Sequence, residues 1–260
     1  MGSIRCGMRK IMQLGLALMT ATSLSACAGP AGSDGTSWKE EVLLHDGSKI
    51  IVERSIERGG RHEIGQEPPY KEQSLSFVMP GTQRTIQWED RYSKDIGAAN
   101  FLPMLLDVSG GAAYLVASPM GCLSYNKWGR PNPPYVVFKH NGKGWKRIPL
   151  TELPDVIMKP NLIFSDPDNV VARIGKSFIP ADTIQKIISR YHQPQFKTIV
   201  RNPLASVRSR CGEMIYDGKG GWIGVGWFRG QPTYEACLKY CERHKIQTQY
   251  CPCTKLFKGN

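Results

Sequence analysis

A chain of 260 residues with 41% apolar side chains is long enough for one domain, or a domain with an appendage, around an ordinary core, and its composition excludes a wholly disordered protein. Its formal charge of +12 directs attention to anionic partners. It carries no catalytic signature, so the expectation is a non-enzymatic protein without catalytic residues, metal or cofactor.

In chain order, Arg9 and Lys10 precede the uncharged run Ile11 to Leu24, which is short for a bilayer span and suited to a signal peptide. The run ends in Leu24-Ser25-Ala26-Cys27, which resembles the lipobox of bacterial lipoproteins. The resemblance implies that the Cys27 thiol takes a diacylglycerol, that cleavage falls before it, and that the new amino group is acylated. Two or three acyl chains anchor stably where one does not. Ala28, in place of Asp, implies by the same resemblance an outer-membrane lipoprotein of a Gram-negative bacterium, facing the periplasm. Residues 1–26 are thus read as the signal and 27–37, small and Gly-rich, as a flexible tether. Initiation at Met8 would give a Met-Arg-Lys start and leave out Cys6. Export argues against nucleic acid as partner. It leaves the membrane, through the anchor, and an anionic envelope component such as peptidoglycan or lipid head groups, or an acidic protein.

Residues 38–200 read as a mainly β domain. Turn dipeptides flanked by apolar residues fall at Asp46-Gly47, Pro80-Gly81, Gly110-Gly111 and Asn141-Gly142, 30 to 34 residues apart. They predict an antiparallel meander, sandwich or propeller-like, with one or two short helices. Pro180 opens a helical stripe of Ile184, Ile187, Ile188 and Tyr191 that Pro194 ends. Residues 201–260 form a cysteine-rich segment, with a hairpin at Asp217-Gly218-Lys219-Gly220 and a helix from Thr233 to about Lys245.

With Cys6 removed and Cys27 lipidated, Cys122, Cys211, Cys237, Cys241, Cys251 and Cys253 are left, an even six in an oxidising compartment. Cys237 and Cys241 lie about 6 Å apart along a helix, and Cys251 and Cys253 about 6.6 Å apart along an extended segment. Each of the first pair can then meet one of the second, and Cys122 and Cys211 are left to tie the β region to the tail. The C-x-x-x-C then C-x-C pattern over residues 237–253 resembles the cysteine-stabilised αβ motif, although only nine residues separate Cys241 from Cys251. The alternative is a zinc site drawn from these four cysteines and His244.

His45-Asp46-Gly47-Ser48 reads as a turn, because neighbours in a tight turn cannot align as a triad. Glu89 and Asp90 point to opposite faces of a strand and read as a solvated strand end. Gly224-Val225-Gly226 lacks the setting of a dinucleotide loop, and His62, His140 and His192 are scattered. The best binding candidate is the stretch Ser124 to Tyr135, with Tyr125, Lys127, Trp128 and Arg130 stiffened by prolines. It could stack on a sugar or grip an anionic protein, or it is a packed connection whose aromatics finish the core. Trp222, Trp227 and Phe228 pose the same choice. Over residues 38–199 the chain resembles uncharacterised lipoproteins of Gram-negative bacteria, through His45-Asp46-Gly47-Ser48, Tyr114 to Pro119 and Cys122 to Pro134. That resemblance implies location and no activity. The expectation is a lipid-anchored binding or interaction protein. The alternatives are an immunity lipoprotein that neutralises an envelope-directed toxic hydrolase, and an envelope hydrolase.

Overall fold

The computed structural model describes residues 35–205 and 211–259. The signal segment, Cys27 and all but the end of the tether lie outside the described residues. The first strand, β1 (Thr36–Leu43), starts two residues before Trp38, because β2 (Lys49–Arg58) is long enough to give Thr36 and Ser37 ladder partners in Ile56 and Ser55. Strands β3 (Tyr70–Val78) and β4 (Thr85–Asp90) continue the meander. Alternation puts Trp38, Glu40, Val42, Val52, Ile56, Leu75, Phe77 and Trp88 on one buried face. The other face is mostly polar, though Leu43, Ile51 and Val78 are exposed on it, and directly opposed residues there pair, as Lys39 does with Glu53.

A second meander, β5 (Phe101–Ser109), β6 (Ala112–Pro119), β7 (Val136–His140) and β8 (Trp145–Ile148), packs face to face on the first. Leu106, Ala113, Leu115, Ala117, Val136 and Phe138 share one apolar cluster with Val52, Phe77 and Trp88. The architecture is therefore mainly β and antiparallel, in sandwich form. Strand β6 is buried throughout, because segments around Leu153, Ile157, Phe164 and Ile199 cover the second sheet's outer face. A bulge between Pro103 and Leu105 interrupts β5 there, and the Met104 carbonyl accepts instead from Asn161 N and Leu162 N.

Four of the expected hairpin tips join consecutive strands of these sheets, and Asp217–Gly220 joins β10 (Met214–Tyr216) to β11 (Trp222–Gly224). The Pro180 stripe forms α3 (Ala181–Ser189), whose Ile184 and Ile188 pack with Trp38 and Ile56 at one end of the first sheet. Two helices carry no period long enough to read: α1 (Gly121–Lys127) and α2 (Pro167–Ile174). Beside them the short β9 (Phe178–Ile179) adds to β1 in parallel, closing that edge. The tail continues with α4 (Gly226–Arg229), α5 (Tyr234–Arg243) and α6 (Cys253–Phe257), around a small cluster of Phe228, Cys237, Cys241, Ile246 and Cys253. Thr233 caps α5 by accepting from Ala236 N. Cys253 opens α6 rather than lying on an extended segment, since Leu256 and Phe257 turn back onto that cluster. No described helix is long and apolar enough to cross a membrane.

Candidate functional site

The stretch expected to bind is engaged with the chain itself. Tyr125 is buried, with the Arg130 guanidinium 5.0 Å over its ring. Trp128 tilts against Phe101 at 4.6 Å between centroids, and its Nε1 donates to Asn100 Oδ1. Lys127 Nζ meets Asp95 Oδ1 at 2.9 Å. Burial would raise the Asp95 carboxyl, but hydrogen bonds from Ser93 and Lys127 hold it below its usual range. Arg130 adopts a left-handed φ of 54° and donates to Asn126 Oδ1 and Gly212 O, and Asn126 Oδ1 also accepts from Met214 N. These contacts join α1 to the start of the tail. Trp222 reaches back in the same way, donating to Asp95 O, while Phe228 is fully buried and Trp227 is exposed.

The cysteines pair as Cys122–Cys211, Cys237–Cys253 and Cys241–Cys251. The first closes a span of 89 residues between sandwich and tail, and the other two bridge α5 to the segment around α6. Sulfurs paired in this way are not thiolates, the form in which cysteine ligates zinc. His244, the remaining residue of that alternative, lies against the Tyr240 ring at 4.2 Å.

One convergence falls on the turn at the β1–β2 tip. Gly47 takes a φ of 86°, Leu44 N donates to Ser48 O, and the Asp46 carboxylate accepts from both Ser48 N and Ser48 Oγ. Asp46 and Ser48 are thereby occupied locally, as a turn requires. His45 is not. Its backbone N donates to Asp107 Oδ2 at 3.0 Å and its Nδ1 lies 2.6 Å from Asp107 Oδ1. Asp107 is buried near the end of β5 and also accepts from Val108 N. A carboxylate held on three donors fixes the imidazole ring, and with the proton on Nδ1 it leaves Nε2 as the free, basic nitrogen. The ring borders a cleft of about 530 Å³ whose rim includes Leu43, Val156 and Met158, each among the exposed large apolar side chains. Lys159 and Gln185 complete the polar lining; Lys159 makes no ion pair among the described residues, and Gln185 Nε2 is used on Pro160 O.

The other candidates are placed apart from this cleft. Glu89 is exposed and pairs with Arg91, whereas Asp90 is buried, not solvated as a strand end would be. Its carboxylate accepts from Gln73 Nε2, Asn100 N, Asn100 Nδ2 and Phe101 N, holding the β4–β5 connection. His62 and His192 are exposed, and His140 stacks edge-on with Trp145. Gly224 ends β11, and the buried Val225 leads into α4. The sequence held one faint signal for the cleft, an Asp inside the apolar run of β5. Compared with known protein families, curated proteins and solved structures, the chain matches none.

Proposed function

We propose that this chain is a lipid-anchored binding protein of the Gram-negative envelope, held to the outer membrane through Cys27 and facing the periplasm, with the His45 cleft as its ligand site. The observation that carries the reading is the oriented imidazole and Lys159, which has no ion-pair partner among the described residues, set among exposed apolar side chains in a cleft of ligand size. The oxidised cysteines support export. The surplus positive charge and Lys159 favour an anionic envelope component. Titration calorimetry with soluble peptidoglycan fragments and with short-chain anionic phospholipid tests it. Lys159→Glu should weaken binding about tenfold at unchanged melting temperature, and His45→Ala should weaken it about as much while also lowering the melting temperature, because it takes a partner from the buried Asp107. Affinity unaltered in both variants removes the cleft as the site. Metabolic labelling with a clickable palmitate analogue tests the anchor: Cys27→Ser should lose the label and accumulate as precursor, and equal labelling removes the lipoprotein reading.

The His45–Asp107 pair also favours a second reading, an envelope hydrolase. Among the described residues the cleft lining contains no Ser, Thr or Cys, so His45 would act as general base on water rather than on a side-chain nucleophile. Ester turnover abolished by His45→Gln supports this reading, and turnover that survives the substitution rejects it.

A further inference from the structure

We propose that a groove beside β7 and β8, separate from the His45 cleft, binds the free carboxylate of an apolar peptide C-terminus. The groove encloses about 470 Å³ and is walled by Pro131, Pro133, Pro149, Ile148 and Leu150, with Arg147 among its lining residues. Three prolines fix their backbone angles and carry no N–H, so that part of the wall is stiff and apolar; Asn132, also in the lining, spends its amide on Leu204 N and O. A ligand finds its hydrogen-bond donors mainly on the arginine.

Arg147 is held in place without being neutralised. It projects from β8, in register with Phe138 of β7. Its guanidinium lies 5.6 Å over the Trp128 ring, and its NH2 donates to Trp128 O at 3.2 Å. Arg54, Arg58, Arg91, Arg201 and Arg229 each meet an acidic side chain, whereas among the described residues none meets Arg147. A guanidinium oriented by a ring and a carbonyl keeps other N–H groups for a ligand. That planar fork matches a carboxylate through two parallel hydrogen bonds. Because the side chain is already ordered, less rotamer entropy is lost when the ligand arrives. The proline and aliphatic walls then suit an apolar final side chain, and the chain's surplus positive charge draws the anion in.

The test uses the full lipidated chain in detergent and fluorescein-labelled pentapeptides ending in Leu, Phe or Val, each as the free acid and as the C-terminal amide. Fluorescence anisotropy should show binding of at least one acid, with its amide weaker by about tenfold or more. Arg147→Ala should weaken the acid to the level of the amide. Arg147→Lys should recover only part of the loss, because an ammonium lacks the fork. His45→Ala should leave this binding unchanged, so the outcome is independent of the cleft. Equal affinity for acid and amide in the wild-type protein overturns the proposal even if Arg147→Ala disturbs Trp128. Absence of binding by all three acids at millimolar concentration overturns it as well.

Discussion

Asn161 shows how one side chain can replace a missing strand. Its Oδ1 accepts from Leu106 N at 2.9 Å, and its Nδ2 donates to Leu106 O at 2.8 Å and Leu43 O at 2.9 Å. The amide thus serves both backbone groups of an edge residue in the second sheet and ties them to the end of β1. Asn161→Ala leaves those buried groups unpaired and should cost about 3 kcal/mol, a melting temperature lower by roughly 10 °C. Asn161→Asp keeps the shape and one acceptor but sets a carboxylate oxygen against two carbonyls, and calorimetry should rank it at least as damaging. A melting temperature within a degree or two of wild type for both would show that neighbouring groups reorganise to satisfy Leu106. The same locality explains His45: Asp107, 62 residues away, reaches it only because the β1–β2 tip and the end of β5 lie at one end of the sandwich.

Among the elements, α1 is the clearest case of a helix made by its surroundings. Seven residues are too few for a helix to hold alone. Here Ser124 Oγ donates to Asn100 O, Asn126 caps Gly212 and Met214, and Cys122 is bonded to Cys211. The tail needs that link because its own core is small. Closing 89 residues with one disulfide constrains the unfolded chain by about 4 to 5 kcal/mol in the entropy model. Replacing Cys122 and Cys211 together with Ser should therefore speed hydrogen exchange in the β10–β11 hairpin far more than in β6. Uniform exchange across both elements would mean that the tail and the sandwich unfold as one unit with or without the bridge.

For the whole molecule, acid acts on the network that fastens α2 to the first sheet. Arg58 Nε meets Asp168 Oδ2 at 2.6 Å, and Tyr70 Oη donates to Asp168 Oδ1 at 2.8 Å. Burial raises the Asp168 carboxyl, but hydrogen bonds from Arg58 and Tyr70 outweigh it and leave the group below its ordinary value of 3.8. A depressed folded-state value stabilises fully above the unfolded one and is lost as pH falls through the folded one. The loss should therefore appear below about pH 4. Asp90 has the opposite sign, since burial raises it despite its hydrogen bonds, and its charged form weighs against folding once ionised. Chemical denaturation across pH 2 to 7 should show Asp168→Asn less stable near neutrality and flatter below about pH 4. An unchanged acid limb would place the sensitivity elsewhere.

Turn chemistry and period-two alternation are local, so the five hairpins, the buried faces of β1 to β4 and the stripe of α3 were legible residue by residue. The even cysteine number likewise implied a stapled tail, and helical spacing restricted which cysteines could meet, though not which of the two pairings forms. The choice of sandwich over propeller depended on which meander faces which, a property of long-range packing that no local pattern encodes. Tyr125, Trp128 and Arg130 have the composition of a binding loop, yet their environment, in the core and against Gly212, comes from the fold. His45 and Asp107 each look ordinary in sequence, and Arg147 is one of many basic residues. Only tertiary structure brings the first two together at a cleft and leaves the third oriented beside three prolines, without an acidic partner among the described residues.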